Sequence, residues 1–134
     1  FIDRLSKTGL GVLAYREWES VYTEAIRCIH GKLEYEEPIR KQVEKYWKEG
    51  MPDYFPTIIC GVLIRQHHNP RCVKLMEDWW QEILSTGSRR DQISLPYVLW
   101  KNGYTISDLT TILENPYSQG ECFDYAGKHN QNRI

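Results

Sequence analysis

Arg89, Arg90, Asp91 and Gln92 stand side by side just ahead of a long apolar run. Two guanidiniums can grip phosphate oxygens through paired hydrogen bonds. A carboxylate beside them can take up a proton or face developing positive charge. The residues that follow, Ile93, Leu95, Tyr97, Val98, Leu99 and Trp100, predict a helix anchored in a core. Asp91 is expected as its N-cap, with the helix starting at Gln92. A rigid element then presents polar groups at its exposed mouth, which suits chemistry. The plainer alternative is a capped helix with solvated arginines.

A second group follows the apolar run Thr57–Arg65, which reads as a strand buried on both faces in the middle of an α/β sheet. Ligands in open α/β sheets sit beyond the carboxyl ends of strands, which is where Arg65, His67, His68 and Asn69 fall. Side chains of neighbouring residues on an extended chain point apart, so the two histidines are not read as a metal pair. One of them is expected to contact substrate or to cap the next helix. Glu24 is read either as a solvated carboxylate or as part of the cleft wall with Tyr22.

Several elements must position these residues. Gly11–Tyr15 predicts a strand, Arg16–Trp18 a loop, and Glu19 onward a helix with Tyr22, Ala25, Ile26 and Ile29 inward and Gly31 as its stop. Pro38 is expected at the first position of a second helix, with Ile39, Val43, Tyr46 and Trp47 inward and Gly50 at its end. Asn69 and Pro70 open a third helix. Its expected buried stripe is Val73, Met76, Trp80, Ile83 and Leu84. Glu77, Asp78, Gln81 and Glu82 then face outward or toward a cleft that Trp79 walls. Beyond Asn102-Gly103, residues 104–113 read as a strand and turn, and the rest as a loop-like tail.

Taken together these stretches resemble the glycosyltransferase-like family formerly called domain of unknown function 616. The resemblance rests on Arg90-Asp91-Gln92 with the helix ending Tyr97-Val98-Leu99-Trp100-Lys101. It extends through Ile64-Arg65-Gln66-His67-His68-Asn69-Pro70, Met76-Glu77-Asp78-Trp79-Trp80-Gln81-Glu82-Ile83 and Val21-Tyr22-Thr23-Glu24-Ala25. It covers roughly residues 10 to 117, leaving a tail from 118 to 134. It implies an α/β, GT-A-like (nucleotide-diphospho-sugar transferase) sheet with flanking helices, or the C-terminal half of one. The implied activity is transfer of a sugar from a nucleotide-sugar donor to a glycan or other hydroxyl acceptor. Asp91 and Gln92 would be catalytic, and Arg89, Arg90, Arg65, His67, Glu24 and Trp79 would bind substrate. His129 resembles a late histidine that ligates a divalent metal, Mn²⁺ or Mg²⁺, in some of these families.

The chain departs from that pattern in one respect: no Asp-x-Asp occurs in its 134 residues, and no Gly-rich phosphate loop. The donor-binding half is then expected from further sequence or a partner chain. The alternative reading is a non-catalytic carbohydrate-binding or protein-interaction module. A hydrolase using Glu24, Asp91 and Glu77 has no supporting motif.

Composition narrows the rest. The length suits one domain with a modest core. A formal net charge of −1 gives no basic field for nucleic acid or an anionic membrane. No run approaches the roughly 20 apolar residues of a membrane span. Four cysteines without a Cys-x-x-Cys pair read as free thiols and point to a reducing compartment, the cytoplasm.

Overall fold

Helix α4 (Asp91–Lys101) is the element the rest packs around, since residues 93 to 99 are all buried. A helix that is apolar on every side has no solvent face to offer, so it must lie inside. The computed structural model describes residues 7–32 and 35–111. Strand β1 (Leu10–Ser20), helix α1 (Val21–His30), helix α2 (Glu36–Glu49), strand β2 (Pro56–Arg65) and helix α3 (Pro70–Thr86) precede α4. A 3₁₀ turn (Ile106–Asp108) and a short strand β3 (Thr110–Thr111) follow it. This is an α/β fold with a small three-stranded mixed sheet and flanking helices.

The sheet order is β2-β1-β3. β1 runs antiparallel to β2, with Val12 opposite Leu63 and Tyr15 opposite Ile58, and parallel to β3. Helices α1, α3 and β2 all meet α4. The core joins Leu10, Val12, Ile58, Leu75, Ile93 and Leu99 with residues of α1 and α2.

Several local expectations need correction. β2 is an edge strand of the described sheet, half-buried over most of its length. It is not a central strand covered on both faces. β1 does not stop at Tyr15: it continues through the charged segment to Ser20, with irregular pairing between Arg16 and Ser20. Ser20, rather than a residue before Glu19, caps α1 by accepting from the Thr23 backbone N–H at 3.3 Å. α2 begins two residues ahead of Pro38.

The helix faces are rotated from those expected. α1 buries Val21, Glu24, Ala25 and Cys28, while Ile26 is exposed. α2 buries Ile39, Gln42 and Tyr46, and Trp47 is 66% exposed. α3 buries Cys72, Leu75 and Glu82 and leaves Val73, Trp80 and Leu84 outside. In α1 and α3 a carboxylate takes a core position because another element supplies its partner, Arg90 for Glu24 and Lys45 with Tyr46 for Glu82, while in α2 the buried Gln42 donates to Tyr46 one turn on.

The stops and starts at Gly31, Gly50 and Asn69 are found as expected. Gly50 has φ 90°, a left-handed conformation in which a side chain would be strained. Gly9 shares that conformation with φ 66°, and a Cβ there would also lie 2.7 Å from Asn69 Nδ2 in the loop before α3.

Candidate functional site

The start of α4 is held in place by a chain of ion pairs. Arg90 donates from Nε and Nη2 to Glu24 Oε1, at 3.3 and 3.0 Å. Arg27 donates from Nη1 to the other oxygen of Glu24 at 3.1 Å and from Nη2 to Glu19. Glu19 also accepts from Arg16 Nη1 at 3.1 Å and from the Thr57 hydroxyl at 3.5 Å. Glu24 is fully buried and Glu19 nearly so. Two carboxylates in that position are stable only when paired and hydrogen-bonded on most of their lone pairs. The network joins β1, α1, β2 and the residue that opens α4.

Glu24 is therefore neither a solvated surface group nor an open part of a cleft wall. It is the anchor beneath Arg90. Two donors of Arg90 point inward at Glu24, and only 30% of its side chain is exposed.

Arg90, not Asp91, is the N-cap of α4, and it makes no side-chain cap bond. Its carbonyl accepts from the N–H groups of Ile93 and Ser94. Asp91 is the first helical residue. Its Oδ1 accepts from the adjacent Gln92 N–H at 2.8 Å, and it forms no ion pair among the described residues. Both Asp91 and Gln92 are half-buried. A carboxylate there is favoured by the positive end of the helix dipole. Pro96 lies one turn on and has no N–H, so the carbonyl of Gln92 lacks its usual helical donor. The mouth thus offers the Asp91 carboxylate and the Gln92 amide. Arg89 beside them is exposed and makes no hydrogen bond or ion pair among the described residues.

Two thiols lie under this mouth. Burial pushes the Cys28 thiol up, and its Sγ lies 3.5 Å from Glu24 Oε1. Burial also pushes Cys60 up strongly, and the negative charge of Asp91 adds to the effect. Helix α4 packs against β2. Cys28, Cys60 and Cys72 are free thiols.

Arg65 and His67 are not part of this group. Arg65 lies five residues beyond Cys60, roughly 17 Å along an extended strand. Both are exposed and line a separate depression of about 340 Å³ with Val73, Met76 and Trp80. The expectation that they share a site with Asp91 relied on a common carboxyl edge of parallel strands. β1 and β2 are antiparallel and have no such edge. His67 and His68 sit in a turn, and their rings approach to 4.0 Å rather than pointing apart. Trp79 reaches α4 instead of open solvent: its Nε1–H donates to Ser94 Oγ at 2.8 Å. His129 lies outside the described residues.

No group of three histidine, cysteine or carboxylate side chains suited to a metal ion occurs among the described residues. Asp91 by itself supplies one oxygen ligand group, whereas a divalent cation of the Mg²⁺ type needs several oxygens.

The network of Glu19, Arg27, Arg16 and Thr57 was not expected from the sequence. One signal was available. Val21, Glu24, Ala25 and Cys28 share a helical face, so an inward Glu24 follows once Val21 is inward. Comparison of the chain with known protein families, curated proteins and solved structures finds no match.

Proposed function

We propose that this chain is a glycosyltransferase-like protein in which Asp91 and Gln92 face the donor sugar. The observation that carries the reading is a division of labour. Glu24 occupies Arg90, so Asp91 keeps an uncommitted carboxylate at a rigid helix mouth. In sugar transfer, the bond between the anomeric carbon and the phosphate oxygen breaks and its electron pair leaves with the diphosphate. The acceptor hydroxyl forms the new bond and gives up its proton. Positive charge grows on the sugar ring and negative charge on the leaving group. Asp91 suits the first, either against the ring or as the group that takes the acceptor proton. The exposed guanidinium of Arg89 suits the second. The Gln92 side-chain amide suits sugar hydroxyls.

The family resemblance supports the same reading, and the GT-A-like sheet it implies is part of the proposal. The donor-binding half with its Asp-x-Asp then comes from further sequence or a partner chain, and it brings the divalent metal. The free thiols support a reducing compartment, the cytoplasm. No described helix is long and apolar enough to cross a membrane.

A second reading is favoured by the missing Asp-x-Asp. In it the chain is a non-catalytic carbohydrate-binding or protein-interaction module. Thermal unfolding against nucleotide diphosphates and their sugars, with and without Mn²⁺, separates the two. A ligand at about 100 times its dissociation constant adds about 2.7 kcal/mol of stability. Stabilisation by one nucleotide sugar, lost in Asp91→Asn, supports transfer. No response across the panel gives the module reading the lead.

A further inference from the structure

A second cleft lies between α3 and α4, at the end of α4 away from Asp91. Its walls include Asp78, Gln81, Glu82, Tyr97, Lys101 and Asn102, and its volume is about 400 Å³. That is within the range of small-molecule sites. Tyr97 to Lys101 stand six to ten residues beyond Asp91, so the cleft is about 10 to 15 Å from it along the helix axis.

The charges around the cleft are already matched. Glu82 pairs with Lys45 at 2.9 Å, Asp78 with Lys74 at 2.6 Å, and Lys101 with Glu49 at 3.2 Å. No net charge is left to draw in an ion. The walls are also fixed. Tyr46 donates to Glu82 at 2.9 Å, and its ring is stacked on that of Tyr97 at 3.9 Å. Tyr97 donates to Glu49 at 2.6 Å, while Asn102 Nδ2 bonds both Asp78 and the Val98 carbonyl. What remains open is planar and polar. The Gln81 amide is exposed and has no partner among the described residues, and Asp78 bonds through Oδ2, which leaves Oδ1. Val98 adds an apolar patch to the lining.

We infer that this cleft binds a neutral, hydroxyl-rich ligand, a saccharide unit of an oligosaccharide. Planar amides and carboxylates present two donors or acceptors side by side, which matches vicinal hydroxyls. Preset walls lower the ordering cost of weak polar binding. As a saccharide site the cleft stands by itself. As an acceptor subsite it rests on the transfer reading above.

The test uses the full chain with cellotetraose, xylotetraose and mannotetraose at millimolar concentration, followed by ligand-observed NMR. At least one of the three is expected to bind. Gln81→Ala should weaken it about fivefold, the equivalent of one hydrogen bond. Gln81→Arg, an exposed position where the fold should be unaffected, should block the cleft and abolish binding. Lys41→Ala, on the exposed face of α2 and away from the cleft, should leave binding unchanged. No binding by any of the three overturns the assignment, as does binding that survives Gln81→Arg. If a tetrasaccharide binds while the nucleotide panel shows no response, the cleft stands and the module reading takes the lead over transfer.

Discussion

Arg90 and Glu24 are 66 residues apart in the chain, yet they form a two-donor ion pair at 3.3 and 3.0 Å over a fully buried carboxylate. The pair fixes the backbone that enters α4. It also removes Arg90 as a counter-ion for Asp91, its neighbour in sequence. Structure and chemistry are thus divided between adjacent residues.

Breaking that pair should be costly. Removing one partner of a buried ion pair typically costs 3–5 kcal/mol, because the other charge is stranded. Arg90 keeps some access to water, so Arg90→Ala should lose about 3 kcal/mol, at the low end. Glu24→Gln should lose less, since the amide oxygen still accepts. Glu24→Leu combined with Arg90→Met should recover most of the loss. Urea unfolding of the four proteins measures this. Equal losses in the single and double variants would show that the pair is not the anchor described.

Asp91 behaves differently because it is the first helical residue and not the cap. Its contribution to α4 is the dipole term, about 0.3–1 kcal/mol. Asp91→Asn should therefore leave unfolding nearly unchanged, and Asp91→Ala should cost under about 1 kcal/mol. Both should abolish stabilisation by a nucleotide sugar. A large stability loss in Asp91→Asn would place Asp91 in the framework instead of at the site.

The pH dependence follows from the α2–α3–α4 contacts. Burial alone would raise the Glu49 pKa. Hydrogen bonds from Tyr97 and Lys101 and nearby lysine charge outweigh it and hold the carboxyl below its ordinary 4.5. Lys74, opposed by burial and aided by Asn102, holds Asp78 below 3.8. These groups bind protons less readily when folded, so their stabilisation is present above the unfolded values. It is lost as pH falls from about 5 through the lower folded values. The sign reverses for the tyrosines. Burial first, then Glu82, raises Tyr46, and burial with the Glu49 bond raises Tyr97, both above 10.0. Their contribution is complete below pH 10 and lost above it. Urea midpoints across pH 3 to 11 should fall at both ends. Glu49→Gln should flatten the acid limb, and Tyr46→Phe the alkaline one.

The sequence made α4 legible because its signal is local. Seven successive buried positions follow a polar start, so the buried helix and its exposed mouth are both readable. Helix boundaries set by Gly31, Gly50 and Asn69-Pro70 are readable for the same reason. The faces of α1, α2 and α3 were not. Each carries a polar side chain that bonds a partner on another element: Glu24 with Arg90, Tyr46 with Glu82, Trp79 with Ser94, while Gln42 donates to Tyr46 within α2. Hydrophobic periodicity cannot register such partners, so it assigned the inward positions to Ile26, Trp47 and Trp80. The strand hidden in Arg16-Glu17-Trp18-Glu19 was missed likewise, since its charges are absorbed by Arg27 and Thr57. Among the site residues, Arg89 to Gln92 are together by sequence alone. Whether Arg65 and His67 joined them depended on strand direction, which no local pattern specifies.

Trp79 gives the sharpest contrast between a framework role and a ligand contact. Its Nε1–H donates to Ser94 Oγ at 2.8 Å, and Ser94 in turn donates to the Arg90 carbonyl at 3.3 Å. Ser94 is fully buried, so the relay ties α3 to the first turn of α4. Trp79→Phe keeps most of the ring and removes the donor. It should cost about 1 kcal/mol, the net worth of one hydrogen bond. Ser94→Ala should cost about 1–3 kcal/mol, because it leaves the indole N–H without an acceptor in a half-buried place. The double variant should then be more stable than the sum of the two losses predicts, since the indole is no longer there to be orphaned. If Trp79 instead served as a stacking wall for sugar, Trp79→Phe would leave unfolding unchanged and weaken saccharide binding. Urea unfolding of the cycle, read beside tetrasaccharide binding in Trp79→Phe, decides between the two. The relay predicts coupling in the first measurement and no change in the second.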